Sequence, residues 1–258
     1  MNEHDKFQQE VLENITSLSN DADLQALSRI WIREIAPHKW SYNFSWLGRP
    51  AIQFPNDAWA LQEIVWKVKP DLIIETGIAH GGSLMISASL LALLDYTDAV
   101  ESGQVLDPKS SRRKVIGIDI DIREHNRDAI ERHPLAHKIQ MFQGSSIDPE
   151  TIKKVKEAAK GYQRVLVCLD SNHTYEHVLS ELNAYAPLVS SGSYCIVYDT
   201  IIEDMPAQLF DNRPWCPGNS PKTAVYEFIQ QHPEFVIDKQ IDAKLQISVA
   251  PDGFLKRR

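Results

Sequence analysis

Residues 71–83, DLIIETGIAHGGS, decide the fold of this chain. A short apolar run, Leu72–Ile74, leads to an acid, Glu75, and three glycines follow within the six residues 77–82. An apolar run that enters a glycine-rich turn and then a helical pattern is typical of the first strand of a nucleotide-binding α/β fold. The stretch therefore predicts a buried strand, a tight turn at the carboxyl end of a sheet, and a helix that follows the turn.

The rest of the chain repeats this alternation of strand and helix. Apolar runs of strand length predict five buried strands, and amphipathic runs between them predict the connecting helices. Strands separated by helices imply a parallel, doubly wound sheet. The predicted strands are 72–76, 114–119, 139–144, 164–170 and 193–199, and the predicted helices are 83–95, 124–132, 149–160, 174–188 and 221–231.

The two ends of the chain add further elements. Residues 5–36 predict two amphipathic helices, and 56–67 predicts a helix capped by Asn56. Residues 235–250 predict two strands, which would add an antiparallel hairpin to the parallel sheet. We therefore expect an N-terminal helical extension over residues 1–50 and a Rossmann-like α/β domain over residues 51–258.

Composition excludes several classes of protein. The chain has 258 residues, 43% of them hydrophobic and 24% charged, which is typical of a globular α/β protein. A net charge of -8 argues against a nucleic-acid partner. Three cysteines do not make a disulfide framework, the acidic start is unlike a signal peptide, and no apolar run approaches the roughly 20 residues of a membrane span. We expect no membrane span and a cytoplasmic location.

The glycine turn differs from both common phosphate loops. It lacks the lysine of a P-loop, and it places Ala79 where the dinucleotide fingerprint has its middle glycine. Glu75 would also repel a pyrophosphate. S-adenosylmethionine fits better, because it carries adenosine without phosphate and has cationic ammonium and sulfonium groups. The candidate residues for binding it are Glu75, Gly77, Ala79, Gly82 and Ser83. The alternatives are a dinucleotide, or a turn that binds no ligand.

Two further strand ends complete the predicted cofactor site. Asp119 ends the second strand, where an acid binds ribose hydroxyls in nucleotide folds, with Asp121 as a competing candidate. Ser145 and Ser146 follow the third strand, where they would approach the adenine. The alternative for these two serines is a turn that leads into a helix.

The fourth and fifth strands each end in an acid, Asp170 and Asp199. The carboxyl ends of neighbouring parallel strands meet, so these carboxylates would face one pocket. Such a pair suits a hard divalent cation, Mg²⁺ or Mn²⁺, which would acidify a substrate hydroxyl. His173 is a candidate general base. The alternatives are that Asp170 satisfies loop amides and that His173 caps or packs against a helix.

Several quoted motifs together resemble one known family, the cephalosporin hydroxylase/rhamnosyl O-methyltransferase family. They are WLGRPAIQFPNDAW (46–59), VKPDLIIETGIAHGGS (68–83), VIGIDIDIREHNR (115–127), LDSNHTYEHVLSELNAYAPLV (169–189), YCIVYDT (194–200) and PGNSPKTAVYEF (217–228). The resemblance implies a class I methyltransferase domain, S-adenosylmethionine, magnesium, and methylation of sugar or antibiotic hydroxyls by a homo-oligomer. It assigns Asp170 and Asp199 to the metal.

One position departs from this family pattern. Similar proteins commonly have an acid immediately before the fifth-strand aspartate, and this chain has Tyr198. A third metal ligand would then come from elsewhere, Glu203 or Asp204. The alternative is methyl transfer without a metal, with His173 or Asp170 as the base.

The sequence thus predicts an S-adenosylmethionine-dependent O-methyltransferase that acts on a hydroxyl of a sugar or secondary metabolite. The long segment 201–220, which contains Trp215, is expected to help form the acceptor pocket. One alternative is a cephalosporin-hydroxylase-type oxygenation step, but non-haem iron requires two histidines and a carboxylate, and only His173 is suitably placed. Another is a non-catalytic subunit that binds the cofactor.

Overall fold

Residues Leu72–Thr76 form the central strand, and all five side chains are buried. The computed structural model describes residues 2–258. Its strands are β1 (Phe44–Trp46), β2 (Arg49–Ala51), β3 (Leu72–Thr76), β4 (Lys114–Asp119), β5 (Ile139–Gln143), β6 (Val165–Leu169), β7 (Tyr194–Val197), β8 (Phe235–Ile237) and β9 (Phe254–Arg257). Its α-helices are α1 (Glu3–Asn20), α2 (Ala22–Ile35), α3 (Pro55–Val68), α4 (Gly82–Ser102), α5 (Glu124–Glu131), α6 (Pro149–Ala158), α7 (Tyr175–Tyr185), α8 (Pro221–Gln231) and α9 (Lys239–Leu245).

Seven strands form the main sheet in the order β5-β4-β3-β6-β7-β9-β8. β5, β4, β3, β6 and β7 run parallel, whereas β9 pairs antiparallel with both β7 and β8. The strand order reverses beside β3, because β4 and β6 lie on its two sides. Ligands of open α/β sheets bind beyond the carboxyl ends of the strands at such a point. The predicted doubly wound sheet with an antiparallel pair at one edge is confirmed.

The alternation of side chains along β3 creates an apolar core on each face of the sheet. Ile73 packs with buried residues of α3 and α4, and Leu72 and Ile74 pack with buried residues of α6, α7 and α8. Burying one such side chain contributes about 1.5–3 kcal/mol. The two cores hold the strand ends, and therefore the loops that follow them, in fixed positions.

Of the predicted C-terminal hairpin, the first strand is observed and the second strand is wrong. β8 begins where expected, but Asp238 then caps a short helix, α9, by accepting a hydrogen bond from the amide of Gln240. Ile241 and Leu245 are one helical turn apart and pack together on the core, so this stretch folds as a helix. The second strand is β9, which lies between β7 and β8.

Two helix predictions also need correction. α3 begins at Pro55, and Phe54 occupies the cap position, so Asn56 is not the cap. Proline is favoured at the first helical position, where its missing amide hydrogen is not needed. Asn56 lies inside the helix and donates to the carbonyl oxygen of Leu245 at 3.4 Å.

α4 is longer than predicted and extends to Ser102. By length and composition alone it could cross a membrane, contrary to the expectation that no apolar run is long enough. The core helix of a globular domain meets the same criterion. The side chains of Leu84, Met85 and Leu91 in α4 are fully buried against the sheet.

The N-terminal region consists of the two predicted helices, α1 and α2, and an aromatic segment that packs on the core. The ring of Trp40 makes edge-to-face contacts with Trp31, Phe44 and Phe54, at centroid distances of 4.8–5.1 Å. The hairpin β1–β2 follows, and the expected division at residue 50 falls inside its second strand.

Candidate active site

The glycine turn after β3 is tightly enclosed. Gly77 has φ +87°, and a Cβ there would lie 2.0 Å from the carbonyl oxygen of Asp170. A Cβ on Gly82 would lie 2.2 Å from the carbonyl oxygen of Pro50. Ala79 has φ +46°, a left-handed conformation that favours glycine. The turn thus requires glycine at 77 and 82 for packing alone, since the loop after β6 and the hairpin press on it.

The hairpin β1–β2 is attached to this turn by Arg49. Its guanidinium donates from Nε and Nη2 to the carbonyl oxygen of His80, at 3.0 and 2.7 Å. Nη2 also donates to Oδ1 of Asn126 at 2.9 Å, and the Asn126 amide donates to the carbonyl oxygen of Ala79 at 3.0 Å. We call Arg49 and Asn126 the turn clamp. It fixes the outer side of the turn to β2 and α5.

Asp119 binds the same turn from the sheet side. Its Oδ2 accepts hydrogen bonds from the amides of Ile78 and Ala79, at 2.8 and 3.1 Å. Oδ1 accepts from the amide of Asp121 at 3.0 Å. The side chain of Asp121 itself is exposed near Arg123. Of the two acids considered for ribose, Asp119 is therefore the one beside the turn.

Glu75 is buried directly beneath the turn, with 3% of its surface exposed. Oε2 accepts from the hydroxyl of Ser87 at 3.2 Å, whereas the buried Oε1 has no hydrogen-bond partner in the part of the chain that the structure describes. Burial raises the pKa of Glu75 to about 7. An unpaired, buried carboxylate oxygen is costly, and a ligand ammonium would satisfy it. This observation fits the predicted cofactor.

Two small cavities adjoin the turn, with volumes of about 40 and 10 Å³. The larger lies against the turn and the smaller lies deeper, next to the carboxyl of Glu75. The residues predicted to bind the methionine end of the cofactor line these two cavities. The residues that line one or both include Gln53, Glu75, Gly77, Ala79, Gly82, Ser83, Asp170 and Tyr198.

The acids after β6 and β7 converge as predicted. Ligand atoms of Asp170, His173 and Asp199 all lie within 4.8 Å of one another. Burial, and next the negative charge of Asp199, raise the pKa of Asp170 well above its usual range. Gln53 donates to Oδ2 of Asp170 at 3.0 Å and so orients it. Asp199 adopts a left-handed conformation, φ +56°, which turns the chain immediately after β7.

His173 lies between Asp199 and the long loop that follows it. Its Nε2 is 3.5 Å from Oδ2 of Asp199. The ring of Trp215 meets the imidazole of His173 edge to face, with centroids 4.6 Å apart. The guanidinium carbon of Arg213 lies over the Trp215 ring, 5.3 Å from the ring centroid. The segment 201–220 therefore reaches the carboxylate cluster through Trp215.

Residues 38–258 match the sequence profile of a family described as rhamnosyl O-methyltransferase/CmcI. The chain belongs to this family. Membership confirms the resemblance that the motifs indicated. It also confirms the predicted class of enzyme, an O-methyltransferase that uses S-adenosylmethionine.

Curated relatives and solved structures agree with this assignment. A rhamnosyl O-methyltransferase of Mycobacterium bovis is 28% identical over 236 residues, which cover 85% of this chain and 83% of the relative. One of Mycobacterium leprae is 27% identical over 230 residues, covering 86% and 89%. A CmcI structure described with Mg and SAM superposes with a TM-score of 0.53 at 19% identity, over 84% of this chain and 77% of CmcI. That likeness confirms the fold.

In this family member the third candidate metal ligand is His173, and the structure does not bring Glu203 to the cluster. Glu203 accepts hydrogen bonds from the amide of Gly218 and the hydroxyl of Ser220, at 2.8 and 2.7 Å. Asp204 pairs with Lys222. Two carboxylates and an imidazole are ligands that a divalent cation accepts, so the donor set fits an ion without an acid at position 198.

Tyr198 itself is 5% exposed and faces away from solvent among the core residues. Burial raises the pKa of its phenol well above the usual range. The phenol therefore stays neutral and is unsuited to bind a cation. Position 198, where the resemblance led us to expect an acid in similar proteins, therefore belongs to the core beneath the turn in this chain.

A polar network lies behind the predicted adenine site and was not predicted from the sequence. The hydroxyls of Ser146 and Ser171 lie 3.0 and 3.1 Å from Nε2 of His177, and Ser171 donates to the buried Glu181 at 2.6 Å. Ser146 therefore belongs to this network, and Ser145 contributes its carbonyl to the turn that follows β5. The spacing of His177 and Glu181, four residues apart on α7, was the available signal.

Proposed function

We propose that this member of the family transfers a methyl group from S-adenosylmethionine to a sugar hydroxyl, and that Asp170, His173 and Asp199 form the reactive centre. One observation supports this most directly. The loop that carries Asp170 is in contact with the glycine turn, because no Cβ fits between Gly77 and the Asp170 carbonyl. A methyl donor bound at the turn would therefore adjoin the carboxylates.

The cofactor would be held by the residues around the turn. When bound, S-adenosylmethionine supplies an electrophilic methyl group on a positively charged sulfur. Glu75 would bind its ammonium group through the unpaired Oε1, Asp119 the ribose hydroxyls, and Ser145 and Ser146 would line the adenine. Ala79 and Ser83 would contribute backbone and hydroxyl contacts at the methionine end.

His173 is placed to act as the general base. As the acceptor oxygen bonds to the methyl carbon, the carbon–sulfur bond breaks, and the hydroxyl proton goes to the imidazole. The nearby carboxylate of Asp199 would orient the ring and stabilise the imidazolium. Trp215 covers the other side of the imidazole and limits the access of water.

Asp170, Asp199 and His173 would also hold a divalent cation, Mg²⁺ being the ion described with CmcI. Such an ion would lower the pKa of an acceptor hydroxyl. In the arrangement without a metal, Asp170 is the second candidate base beside His173, because burial and the charge of Asp199 raise the pKa of its carboxyl and so its affinity for a proton. The metal and the metal-free arrangement thus assign different roles to the same three side chains.

The acceptor is proposed from the relatives. The mycobacterial proteins are named rhamnosyl O-methyltransferases, so a deoxysugar hydroxyl is the first acceptor to test. The segment 201–220 would form one wall of the acceptor pocket. Homo-oligomerisation and a cytoplasmic location are further proposals. For the former, Phe7, Leu27 and Trp31 on α1 and α2 leave apolar surface exposed.

The test is a methyl-transfer assay with trideuteromethyl-labelled cofactor and methyl α-L-rhamnopyranoside, read by mass spectrometry with and without Mg²⁺. We expect one labelled methyl group on the sugar. His173→Asn should lower the rate by roughly 10²–10⁴-fold, the contribution of a general base. His125→Asn, on the exposed side of α5, is the matched control.

Two outcomes would favour the alternatives. Cofactor binding without transfer to any of a panel of deoxysugar and natural-product hydroxyls would indicate a non-catalytic subunit. A hydroxylated product that requires iron would indicate an oxygenation step, which the single histidine of the cluster does not favour.

A further inference from the structure

A larger cavity than those beside the cofactor turn lies elsewhere in the protein. Its volume is about 390 Å³, within the range of small-molecule sites and far larger than the space beside the turn. It is enclosed by α1 and α2 on one side and by α8, α9 and the segment before β9 on the other. Its polar lining includes Arg29, Lys222, Tyr226, Asp242, Gln246 and Asp252.

Most charges around this cavity are paired with one another. Lys222 pairs with Asp204, Lys239 pairs with Asp252, and the hydroxyl of Tyr226 donates to Asp252 at 2.5 Å. Three acids and three bases line it in total: Asp204, Asp242, Asp252, Arg29, Lys222 and Lys239. Four of these six charges are already paired with one another, which favours a neutral, polar occupant over an ion.

Two oxygen atoms in this lining are unsatisfied. Oδ1 of Asp242 and Oε1 of Gln246 are buried and have no hydrogen-bond partner among residues 2–258. The other groups of these side chains are engaged. Oδ2 of Asp242 accepts from the amide of Asp252 at 3.0 Å, and the amide nitrogen of Gln246 donates to the carbonyl oxygen of Ala243 at 2.7 Å. Unpaired buried oxygens are rare because they lose their hydration without compensation.

Hydroxyl groups match these two oxygens best. Burial, and next the hydrogen bond with the carboxyl of Asp252, raise the pKa of Asp242 and so favour its protonated form. A hydroxyl both donates and accepts, so it can pair with either state, whereas an ammonium pairs only with the ionised one. Ile32, Ile201 and Ala243 add apolar surface, against which the CH face of a sugar ring can pack.

One short helix connects the reactive centre to the wall of the cavity. Thr200–Asp204 begins directly after Asp199, and Ile201 and Asp204 of this helix line the cavity. We propose that the cavity is a carbohydrate subsite, which holds a sugar ring of the acceptor other than the one that is methylated. The proposal rests on the proposed function, because it assumes a glycan acceptor that extends from Asp199.

The experiment compares two probes by isothermal titration calorimetry in the presence of S-adenosylhomocysteine. The probes are methyl α-L-rhamnopyranoside and the methyl glycoside of a rhamnosyl-rhamnose disaccharide. In the unmodified protein the disaccharide should bind at least about tenfold more tightly, as one well-made buried hydrogen bond allows.

Two variants should remove this advantage. Asp242→Asn keeps the size and the bond to Asp252 but turns the unpaired oxygen into a donor, and Ala243→Phe fills the cavity. Gln240→Phe places the same ring on the exposed side of α9, outside the cavity, and should leave the advantage intact. Unchanged affinity for S-adenosylhomocysteine shows that a variant is folded. If Ala243→Phe does not fold, the affinities of Asp242→Asn for the two probes test the proposal.

The two proposals fail differently. Equal affinity for both probes, no affinity for either, or an advantage that survives Asp242→Asn would overturn the subsite. Tight disaccharide binding that is lost in the cavity variants, without methyl transfer to any sugar, would leave the subsite in place and overturn the proposed function.

Discussion

Glu75→Gln tests the carboxyl beneath the turn through the pH dependence of stability. Burial raises the pKa of Glu75 from 4.5 to about 7. Ionising it in the folded protein therefore costs about 3 kcal/mol more than in the unfolded chain. The folded state holds this proton more tightly, so the stabilising contribution is fully present below pH 4.5 and is lost as the pH rises to about 7.

Glutamine cannot ionise, so the variant lacks this loss. We expect Glu75→Gln to gain about 3 kcal/mol relative to the unmodified protein between pH 4.5 and pH 8. The buried Asp57 titrates in both proteins and cancels in the difference. Asp170 does not cancel fully, because the charge of Glu75 contributes to its raised pKa. The same variant should bind S-adenosylmethionine weakly, because an amide nitrogen would face the ligand ammonium.

The measurement is urea unfolding of both proteins at several pH values without cofactor, at constant ionic strength. Glu10→Gln, on the exposed surface of α1, is the control for the substitution itself. A difference in unfolding free energy that stays constant with pH, or grows in favour of the unmodified protein, would refute the assignment of a buried, proton-binding carboxyl at this position.

Three further variants test the site. Gly77→Val should abolish cofactor binding in calorimetry and lower the unfolding free energy by more than about 2 kcal/mol, because its Cβ meets the Asp170 backbone. Unchanged cofactor affinity would mean that the turn only connects β3 to α4 and binds no cofactor. Asp170→Ala should leave cofactor affinity nearly intact but lose turnover in the labelled-methyl assay, and surviving turnover would place the chemistry elsewhere. Asp199→Asn should weaken Mn²⁺ binding by at least roughly tenfold in electron paramagnetic resonance titrations. Glu203→Gln, which lies outside the cluster, should leave Mn²⁺ binding unchanged, and equal losses of affinity in the two variants would contradict the proposed ligands.

The sequence was sufficient for the five parallel strands, because these strands are apolar, short and bounded by turns. Leu72–Thr76 and Lys114–Asp119 were predicted with their observed bounds. The acids at their carboxyl ends could be grouped because parallel strands place all such ends at one edge. This rule alone predicted that Asp170 and Asp199 lie close together.

Features that depend on contacts between distant segments could not be predicted. The turn clamp joins Arg49 to Asn126, two residues that no periodicity connects. Glu203 was considered a ligand because it follows Asp199 closely, but the short helix at Thr200–Asp204 directs it to Ser220. α9 was mistaken for a strand because β-branched and apolar residues flank its capping Asp238.

We expect the turn clamp to couple cofactor occupancy to the attachment of the N-terminal segment. Arg49 reaches the backbone of the turn from a hairpin that precedes the sheet domain, so a ligand that orders the turn must also favour the docked hairpin. Protease cleavage near Leu47, which is exposed and has φ +48°, should therefore slow as S-adenosylhomocysteine is added. The rate of cutting would then report ligand binding without any acceptor, which makes the hairpin a practical sensor for screening cofactor analogues.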